Sequence, residues 1–248
     1  MIDTVVVDAD SIAVAAGTVE HPDQVSFAVD AKIEKIRQAT QCNNIIGFVE
    51  AWKWKQNFRK HVSCSSVYKG NRGPKPQWTD NAKAYLVDKH GFSVVTYLES
   101  EDCVACTMSE IGIDKCYGAA IDKDIIYGVQ GCYYNYQKDE WVSTGFEEAA
   151  RFEAYQFIVG DSGDGIKGCK GVGEKGAKSL LGVVAMEGLV TEVARTYKRK
   201  EHTYGYMIEQ MRLIHIRRRW DEPPYMPITE EQWEALEIIE EKAKEVLT

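Results

Sequence analysis

A glycine-rich span over residues 157–178 combines two kinds of residue that could act on a phosphate ester. Asp161 and Asp164 are three residues apart, a spacing that lets two carboxylates share one metal ion. The glycines that follow permit left-handed backbone and close approach of another chain, and they lead into a predicted helix whose N-terminal N–H groups favour phosphate. The span therefore predicts a metal-dependent enzyme that acts on a phosphodiester. Its candidate phosphate contacts are Lys167, Gly168, Gly171, Gly173, Lys175 and Lys178.

Acidic residues also follow each of four predicted strands. The strands are the short apolar runs at residues 4–7, 45–49, 94–98 and 118–121. In open α/β sheets the site lies beyond the carboxyl ends of the strands. Crowded carboxylates repel one another and raise each other's pKa, so a divalent cation is the simplest neutralising partner. The acidic residues in question are Asp8, Asp10, Glu50, Glu99, Asp122 and Asp124.

The order of predicted elements indicates the fold class. Predicted strands alternate with predicted helices, including one over residues 28–40, which is typical of a mostly parallel α/β sheet flanked by helices. We expect residues 125–145 to form a strand and a hairpin, and the pattern to be helical from residue 146. Thr229 and Gln232 form a predicted capping box before a helix that extends to Val246. We expect a core over residues 1–150, with a basic loop at about 60–92, and a helical region over 151–248 that forms one compact unit with it.

A second basic stretch interrupts the α/β pattern at residues 67–76. Its glycines and prolines exclude a continuous helix over residues 70–76. Lys69 and Arg72 could face a phosphate and stabilise charge that develops on it, and Tyr68 could stack on a base. The alternative interpretation is a solvated loop. Next to so many carboxylates, Lys69 and Arg72 are our candidate catalytic cations.

Composition limits the classes of partner. The 248 residues have a formal net charge of −8, but residues 230–245 alone contain seven Glu and two Lys, which leaves −3 elsewhere. An acidic total of this size does not exclude nucleic acid. The seven cysteines lack paired metal-ligand spacing, which favours reduced thiols in the cytoplasm. We expect neither a signal peptide nor a membrane partner.

Six motifs occur in a fixed order along residues 4–182. They are Val-Val-Asp at 6–8, Tyr-Lys-Gly-Asn-Arg at 68–72, Glu-Ser-Glu-Asp at 99–102, Asp-Lys-Asp at 122–124, Gly-Asp-Ser-Gly-Asp at 160–164 and Gly-Val-Gly-Glu-Lys-Gly-Ala at 171–177. Together they resemble the structure-specific 5′-nuclease family, which includes flap endonucleases, the 5′-nuclease domain of bacterial DNA polymerase I and phage 5′–3′ exonucleases. The compact chain looks most like a phage member, which would work in the host cytoplasm.

The resemblance implies a PIN-like core with an arch or loop over the site, and a helix–turn–helix variant at residues 168–176 that grips duplex DNA, with a K⁺ ion at the loop. It also implies two Mg²⁺ or Mn²⁺ sites, with Lys69 and Arg72 near the scissile phosphate. Tyr68 joins the loop residues above as a DNA contact. By matching position, one ligand set is Asp8, Glu99, Glu101 and Asp102, and the other is Asp122, Asp124, Asp161 and Asp164. The family has Asp where this chain has Glu50, which leaves the ligand role of Glu50 open, and Glu101 stands where Asp is commoner.

The resulting hypothesis is two-metal hydrolysis of DNA at 5′ ends or single-strand/duplex junctions. Expected partners are 5′-flap, nicked or duplex-end DNA, the RNA of RNA/DNA hybrids and a replication polymerase. Three alternatives remain open at this point. They are a phosphatase that forms an aspartyl-phosphate on Asp8 or Asp10, a DNA-binding module without catalysis, and a ribonuclease built on a related acidic sheet.

Overall fold

The computed structural model describes residues 2–52 and 56–236 and contains a six-stranded sheet. The strands are β1 (Thr4–Asp8), β2 (Asn44–Glu50), β3 (Ser93–Val95), β4 (Cys116–Ala119), β5 (Gly131–Asn135) and β6 (Glu140–Thr144). They lie in the order β3-β2-β1-β4-β5-β6, and every neighbouring pair is parallel except β5 and β6, which form an antiparallel hairpin. The prediction of a mostly parallel sheet is therefore confirmed.

Helices cover both faces of the sheet because successive side chains of a strand point to opposite sides. Val5 and Val7 of β1 pack into one cluster with α1 (Asp10–Ala16), α2 (Gln24–Thr40) and α4 (Thr79–His90). Val6 packs into the other with α5 (Ser100–Ile111) and α6 (Lys123–Gly128). The central strand is thus buried on both faces, as expected for a parallel strand rich in valine.

A second core lies among the C-terminal helices. It includes Phe157, Ala177, Val193, Met211 and Trp233, all buried. The helices are α7 (Phe146–Val159), α8 (Glu174–Leu181), α9 (Leu189–Arg199), α10 (Tyr204–Ile214) and α11 (Glu230–Glu234), while α3 (Phe58–Val62) precedes the basic stretch. The predicted boundary between residues 150 and 151 falls inside α7.

Several predicted elements differ from the structure. Residues 125–128 belong to α6 rather than to a strand, because the Asp122 side chain accepts a hydrogen bond from the Asp124 N–H and starts a helix there. The strand predicted at 94–98 covers only 93–95. Of the stretch expected to form an arch, residues 79–90 form α4 against α1 and α2 instead. The Thr229–Gln232 capping box is confirmed, and α11 ends at Glu234. The predicted continuation from residue 237 to Val246 lies outside the described residues.

The cysteines form no disulfide bonds, and the described helices do not span a membrane. All seven cysteines are free, and five of them are buried. Burial raises the pKa of the Cys106 thiol to about 12, so this thiol stays protonated. Within residues 2–52 and 56–236, the helices are too short or too polar to cross a lipid bilayer.

Candidate metal and nucleic-acid site

The predicted acidic residues lie at the carboxyl edge of the sheet. Asp8 ends β1 and Glu50 ends β2, and these two strands are parallel neighbours. Glu99 is the N-cap of α5 and Asp122 is the N-cap of α6, the two helices on one face of the sheet. The shared edge that the sequence predicts is thus present, and the residues differ mainly in what neutralises each of them.

Asp8 is deeply buried, with 3% of its surface exposed. The Ser100 hydroxyl donates to its Oδ1 at 2.5 Å, and the Tyr136 hydroxyl donates to its backbone carbonyl at 3.0 Å. Burial, with the negative charges of Asp10 and Asp122, raises the pKa of Asp8 to about 7. Among residues 2–52 and 56–236, Asp8 forms no ion pair with a lysine or arginine, which suits a cation ligand.

Glu50 shares its surroundings with Asp10 and Lys83. Lys83, fully buried on α4, donates to Asp10 Oδ2 at 3.0 Å and to the Glu50 backbone carbonyl at 2.7 Å. The Glu50 N–H donates to Asp10 Oδ1 at 2.7 Å. Burial, then the charges of Asp10 and Glu99, raise the pKa of the Glu50 side chain to about 8. Lys83 thus contacts Asp10 and the Glu50 backbone, while the raised pKa favours the protonated form of the Glu50 carboxyl.

Glu99 accepts hydrogen bonds from three side chains. Asn57 Nδ2, the Tyr68 hydroxyl and Lys69 Nζ donate to its Oε1 at 3.1, 3.0 and 2.8 Å. Burial alone would raise the pKa of Glu99, but Lys69 and Arg59 lower it below its ordinary value. Glu99 is ionised and links the basic stretch to the acidic edge.

The Asp102 carboxylate accepts hydrogen bonds from the Arg59 side chain and from two backbone N–H groups. Arg59 NH1 and NH2 donate to its two oxygens at 2.6 and 2.9 Å, and the backbone N–H groups of Glu99 and Arg217 donate to them at 3.0 Å each. Asp102 is fully buried, and although burial opposes it, Arg59 holds its pKa below the ordinary value. These four donors use both oxygens of Asp102 in this structure, and its role as a metal ligand stays a prediction.

Glu101 and Asp124 resemble Asp8 electrostatically. Burial and the charges of Asp122 and Glu99 hold the pKa of Glu101 well above its ordinary value. Burial, then Asp122, raise the pKa of Asp124 to about 6, although Lys123 opposes the shift. Both side chains would be stabilised as anions by a cation between them and Asp122.

Lys123 bridges the two parts of the second predicted ligand set. Its Nζ lies 2.8 Å from Asp161 Oδ2 and 3.1 Å from Asp124 Oδ1, while Gln156 Nε2 donates to Asp124 at 2.6 Å. Asp161 Oδ1 accepts from the Gly163 N–H at 2.8 Å. The Lys123 side chain is 56% exposed, so this ammonium can move away from the two carboxylates.

The basic stretch closes over Asp164. Arg72 NH2 donates to Asp164 Oδ1 at 2.6 Å, and Lys69 Nζ lies 3.7 Å from Asp164 Oδ2. The Lys69 N–H donates to the Asp164 carbonyl at 2.8 Å. The predicted cations therefore do lie among the predicted ligands. Tyr68 does not face solvent: it is 5% exposed and packs in the C-terminal core, so the prediction that it stacks on a base is wrong.

The glycine-rich loop crosses the end of α7. Gly160 and Gly168 have φ of 76° and 62°, and a Cβ built on either would lie within 2.6 Å of the other's backbone nitrogen. Gln210 Oε1 accepts from the N–H groups of Lys167 and Gly168 at 3.0 Å each. The crossing leads through Gly171 and the N-cap Gly173 into α8, on which Lys175 and Lys178 are exposed, as is Lys167 in the loop. The helix–loop–helix arrangement thus presents the basic residues that the sequence singles out.

Known protein structures resemble this chain in fold, although their sequences differ widely from it. No family model and no curated protein matches the sequence. T5 D15 protein crystallised with metal ions matches with a TM-score of 0.65 at 16% identity, over 85% of this chain and 88% of that one. A pseudo-enzyme-product complex of bacteriophage T5 D15 flap endonuclease with DNA and metal ions gives 0.61 at 14%, and T5 5′-exonuclease with bound zinc gives 0.59 at 15%, over the same shares. The chain shares the fold of T5 5′-exonuclease.

The donor set fits hard divalent cations, although the ligands are not drawn together. Asp8, Glu50, Glu101 and Asp124 offer oxygen only, the ligand type that Mg²⁺ and Mn²⁺ take, and burial next to like charges raises the pKa of each. In the described part of the chain, no three His, Cys, Asp or Glu side chains are arranged to hold one metal ion. Lysine and arginine side chains lie between them instead, so the two ligand sets stay predictions.

Sequence reasoning missed the residues that support the acidic edge. Arg59 and Lys83 are fully buried cations, and Ser100 and Asn57 fix the orientation of carboxylates. Ser100 has a sequence signal, since it lies between Glu99 and Glu101 at the start of a predicted helix. Arg59 and Lys83 have none, because their partners lie 43 and 73 residues away.

Proposed function

We propose that this chain is a metal-dependent 5′ nuclease that hydrolyses DNA phosphodiesters at 5′ ends or single-strand/duplex junctions. One observation carries the proposal: buried carboxylates with raised pKa values lie with Lys69 and Arg72 at the sheet edge of a T5 5′-exonuclease fold. In that comparison group, DNA and metal ions are present in the D15 flap endonuclease complex. The motif order along the sequence supports the same activity.

The chain's own residues would divide into ligands and phosphate contacts. We propose Asp8, Glu99 and Glu101, with Glu50, for one cation, and Asp122, Asp124, Asp161 and Asp164 for the other. Two Mg²⁺ or Mn²⁺ ions bound there would supply an activated water and stabilise the leaving oxygen. Asp102 is left out, because it holds Arg59.

Lys69 and Arg72 would place the scissile phosphate. Each already touches an acidic residue, Glu99 at 2.8 Å and Asp164 at 2.6 Å, so a phosphate that enters can share these donors without a large rearrangement. Metal ions bound to Glu99 and Asp164 would weaken the ion pairs of these carboxylates with Lys69 and Arg72. The two side chains could then stabilise negative charge that develops on the phosphate. The loop at 168–176 would hold the duplex through backbone contacts and a K⁺ ion, which favours selection by shape over sequence.

The geometry gives the phosphatase alternative little support. An aspartyl-phosphate needs an accessible nucleophilic carboxylate. Asp8 is 3% exposed and bonded to Ser100, and Asp10 is bonded to Lys83 and to the Glu50 N–H. Neither is free to attack a phosphate.

The test incubates the protein with labelled 5′-flap, nicked and blunt DNA, with and without Mg²⁺. We expect Mg²⁺-dependent cleavage of flap DNA. Asp122→Asn and Asp161→Asn should lower the cleavage rate at least about 100-fold while flap affinity is retained, because a neutral amide is a poor cation ligand. Asp88→Asn, an exposed position on α4, is the matched control and should cleave normally. Unchanged turnover in both ligand variants would refute the assignment, and an RNA-only preference would favour the ribonuclease alternative.

A further inference from the structure

A cavity of about 620 Å³ opens beside the acidic edge. Asp10 and Glu50 are among its lining residues, so it is continuous with the candidate metal site. The other lining residues include Trp52, Arg72 and Lys75. Its volume lies within the range of about 300–1,000 Å³ that is typical of ligand sites. The cavity is therefore large enough for a nucleotide and is open to the proposed reaction centre.

Trp52 gives this cavity an aromatic surface. It lies two residues beyond the end of β2 and is 43% exposed, whereas most large apolar side chains of the described sheet and helices are buried. An accessible aromatic face can stack on any base, so it binds unpaired nucleotides without sequence preference. Bases inside a duplex are stacked on each other, and they would not be available to Trp52.

Two exposed cations also line this cavity. Lys75 is exposed, and the Arg72 side chain remains 54% exposed although it contacts Asp164. Carboxylates and cations therefore line the same cavity. The exposed cations can attract a polynucleotide backbone and contact one of its phosphates.

The wall that carries Lys75 is held in place before any ligand binds. Residues 73–78 are the whole connection from Arg72 to α4, and Pro74 and Pro76 restrict its backbone. The Thr79 hydroxyl donates to the Pro76 carbonyl at 2.9 Å, and the Trp78 N–H donates to the Gly17 carbonyl at 3.2 Å. A preformed wall lowers the entropy cost of binding.

We propose that this cavity binds the unpaired 5′ arm of the DNA substrate, with one base stacked on Trp52 and a neighbouring phosphate on Lys75. The proposal rests on the proposed nuclease function and adds the position of the first unpaired nucleotide. Since stacking reads no base edge, the cavity should accept all four bases. It distinguishes DNA that has an unpaired arm from DNA that has none.

The test uses the full chain with Ca²⁺ in place of Mg²⁺, gels to confirm that the DNA stays intact, and 5′-flap DNA with 2-aminopurine at the first unpaired position. We expect the wild type to quench the fluorescence of this base by stacking. Trp52→Ala should lose the quenching and bind flap DNA about 5- to 150-fold more weakly, while affinity for blunt duplex is unchanged. Trp52→Phe should retain most of both effects. Trp141→Ala, at a similarly exposed tryptophan on β6, is the matched control and should behave as the wild type.

Lys75 is tested by salt dependence. Lys75→Ala should reduce the slope of log affinity against log salt by about 0.7 for flap DNA, and Lys75→Arg should restore it. If Trp52→Ala keeps the quenching and the flap preference while the wild type cleaves flaps, the arm site is overturned and the nuclease proposal stands. If the wild type stacks the base and cleaves none of the substrates, the arm site stands and the nuclease proposal falls.

Discussion

Arg59 shows how much of the site depends on one buried residue. Its guanidinium bonds to Asp102 and to the backbone carbonyls of Leu213 and His215, with the donor to each carbonyl within 3.0 Å. Removal would leave a buried carboxylate without a positive partner, which costs far more than loss of a surface ion pair. The residue therefore supports the acidic edge without facing a substrate.

We predict that Arg59→Met lowers the free energy of unfolding by about 3–5 kcal/mol. Urea denaturation at pH 7 measures this. Arg37→Met, at an exposed arginine 3.8 Å from Glu34, is the control and should change stability by less than about 0.5 kcal/mol. The double variant Arg59→Met with Asp102→Leu should regain part of the loss. Equal stability of the two single variants would contradict the assigned ion pair.

The sequence predicts residues of the site better than it predicts their partners. Acidic residues after short apolar runs are visible because strand ends and carboxylates are local features. The buried ion pair of Lys83 and Asp10 spans 73 positions and joins α4 to α1, so it depends on helix packing that no local pattern records. Tyr68 is misjudged for the same reason, since its burial comes from the C-terminal helices.

At the scale of elements, α4 is the helix that carries a positive charge into the acidic edge. Lys83→Met would remove its contacts with Asp10 and with the Glu50 carbonyl. Asp10 keeps 19% of its side chain exposed, so water offsets part of the loss. We expect a loss of about 1–3 kcal/mol in urea denaturation. Lys89→Met, exposed on the same helix, should change stability by less than about 0.5 kcal/mol; a similar loss in both variants would argue against a special role for Lys83.

The crossing of α7 by the glycine-rich loop depends on backbone rather than on side chains. Gly168→Ala places a Cβ 2.5 Å from the Gly160 nitrogen at φ 62°, so the loop must move. We predict a loss of more than about 1 kcal/mol and weaker binding of duplex DNA. Gly205→Ala on α10, where a Cβ meets no atom within 4 Å, should instead gain about 0.4–1 kcal/mol. Thermal unfolding and duplex binding of both variants test this, and a stabilised Gly168→Ala would refute it.

For the whole molecule, crowded carboxylates make stability depend on pH. The pKa of Asp8 rises from 3.8 to about 7 on folding, and that of Glu50 from 4.5 to about 8. The folded protein holds these protons more tightly than the unfolded chain, so the free energy of unfolding falls as pH rises from about 4 to about 8. His215, whose pKa is raised by Glu153 and Glu222 against the effect of burial, adds a loss in the same direction above pH 6.5.

We expect urea denaturation in EDTA to show lower stability at pH 8 than at pH 5. Added Mg²⁺ should restore more stability at pH 8, because it replaces the protons that the carboxyls lose. Matched NaCl is the control for ionic strength. The residues with lowered pKa, such as Glu99 and Asp102, lose their contribution only as pH falls below about 4.5, outside this window. Stability that rises between pH 5 and 8 in EDTA would contradict the burial of Asp8 and Glu50.

Arg59 donates hydrogen bonds to the carbonyls of residues 213 and 215, and the Arg217 N–H donates to Asp102. These contacts have a genetic consequence. A premature stop codon after residue 212 would remove a stretch more than 100 positions downstream of the acidic motif, yet it would strip hydrogen bonds from the buried arginine and aspartate behind that motif. Nonsense alleles of this kind should therefore give an inactive, poorly folded product, even though the six motifs are all translated.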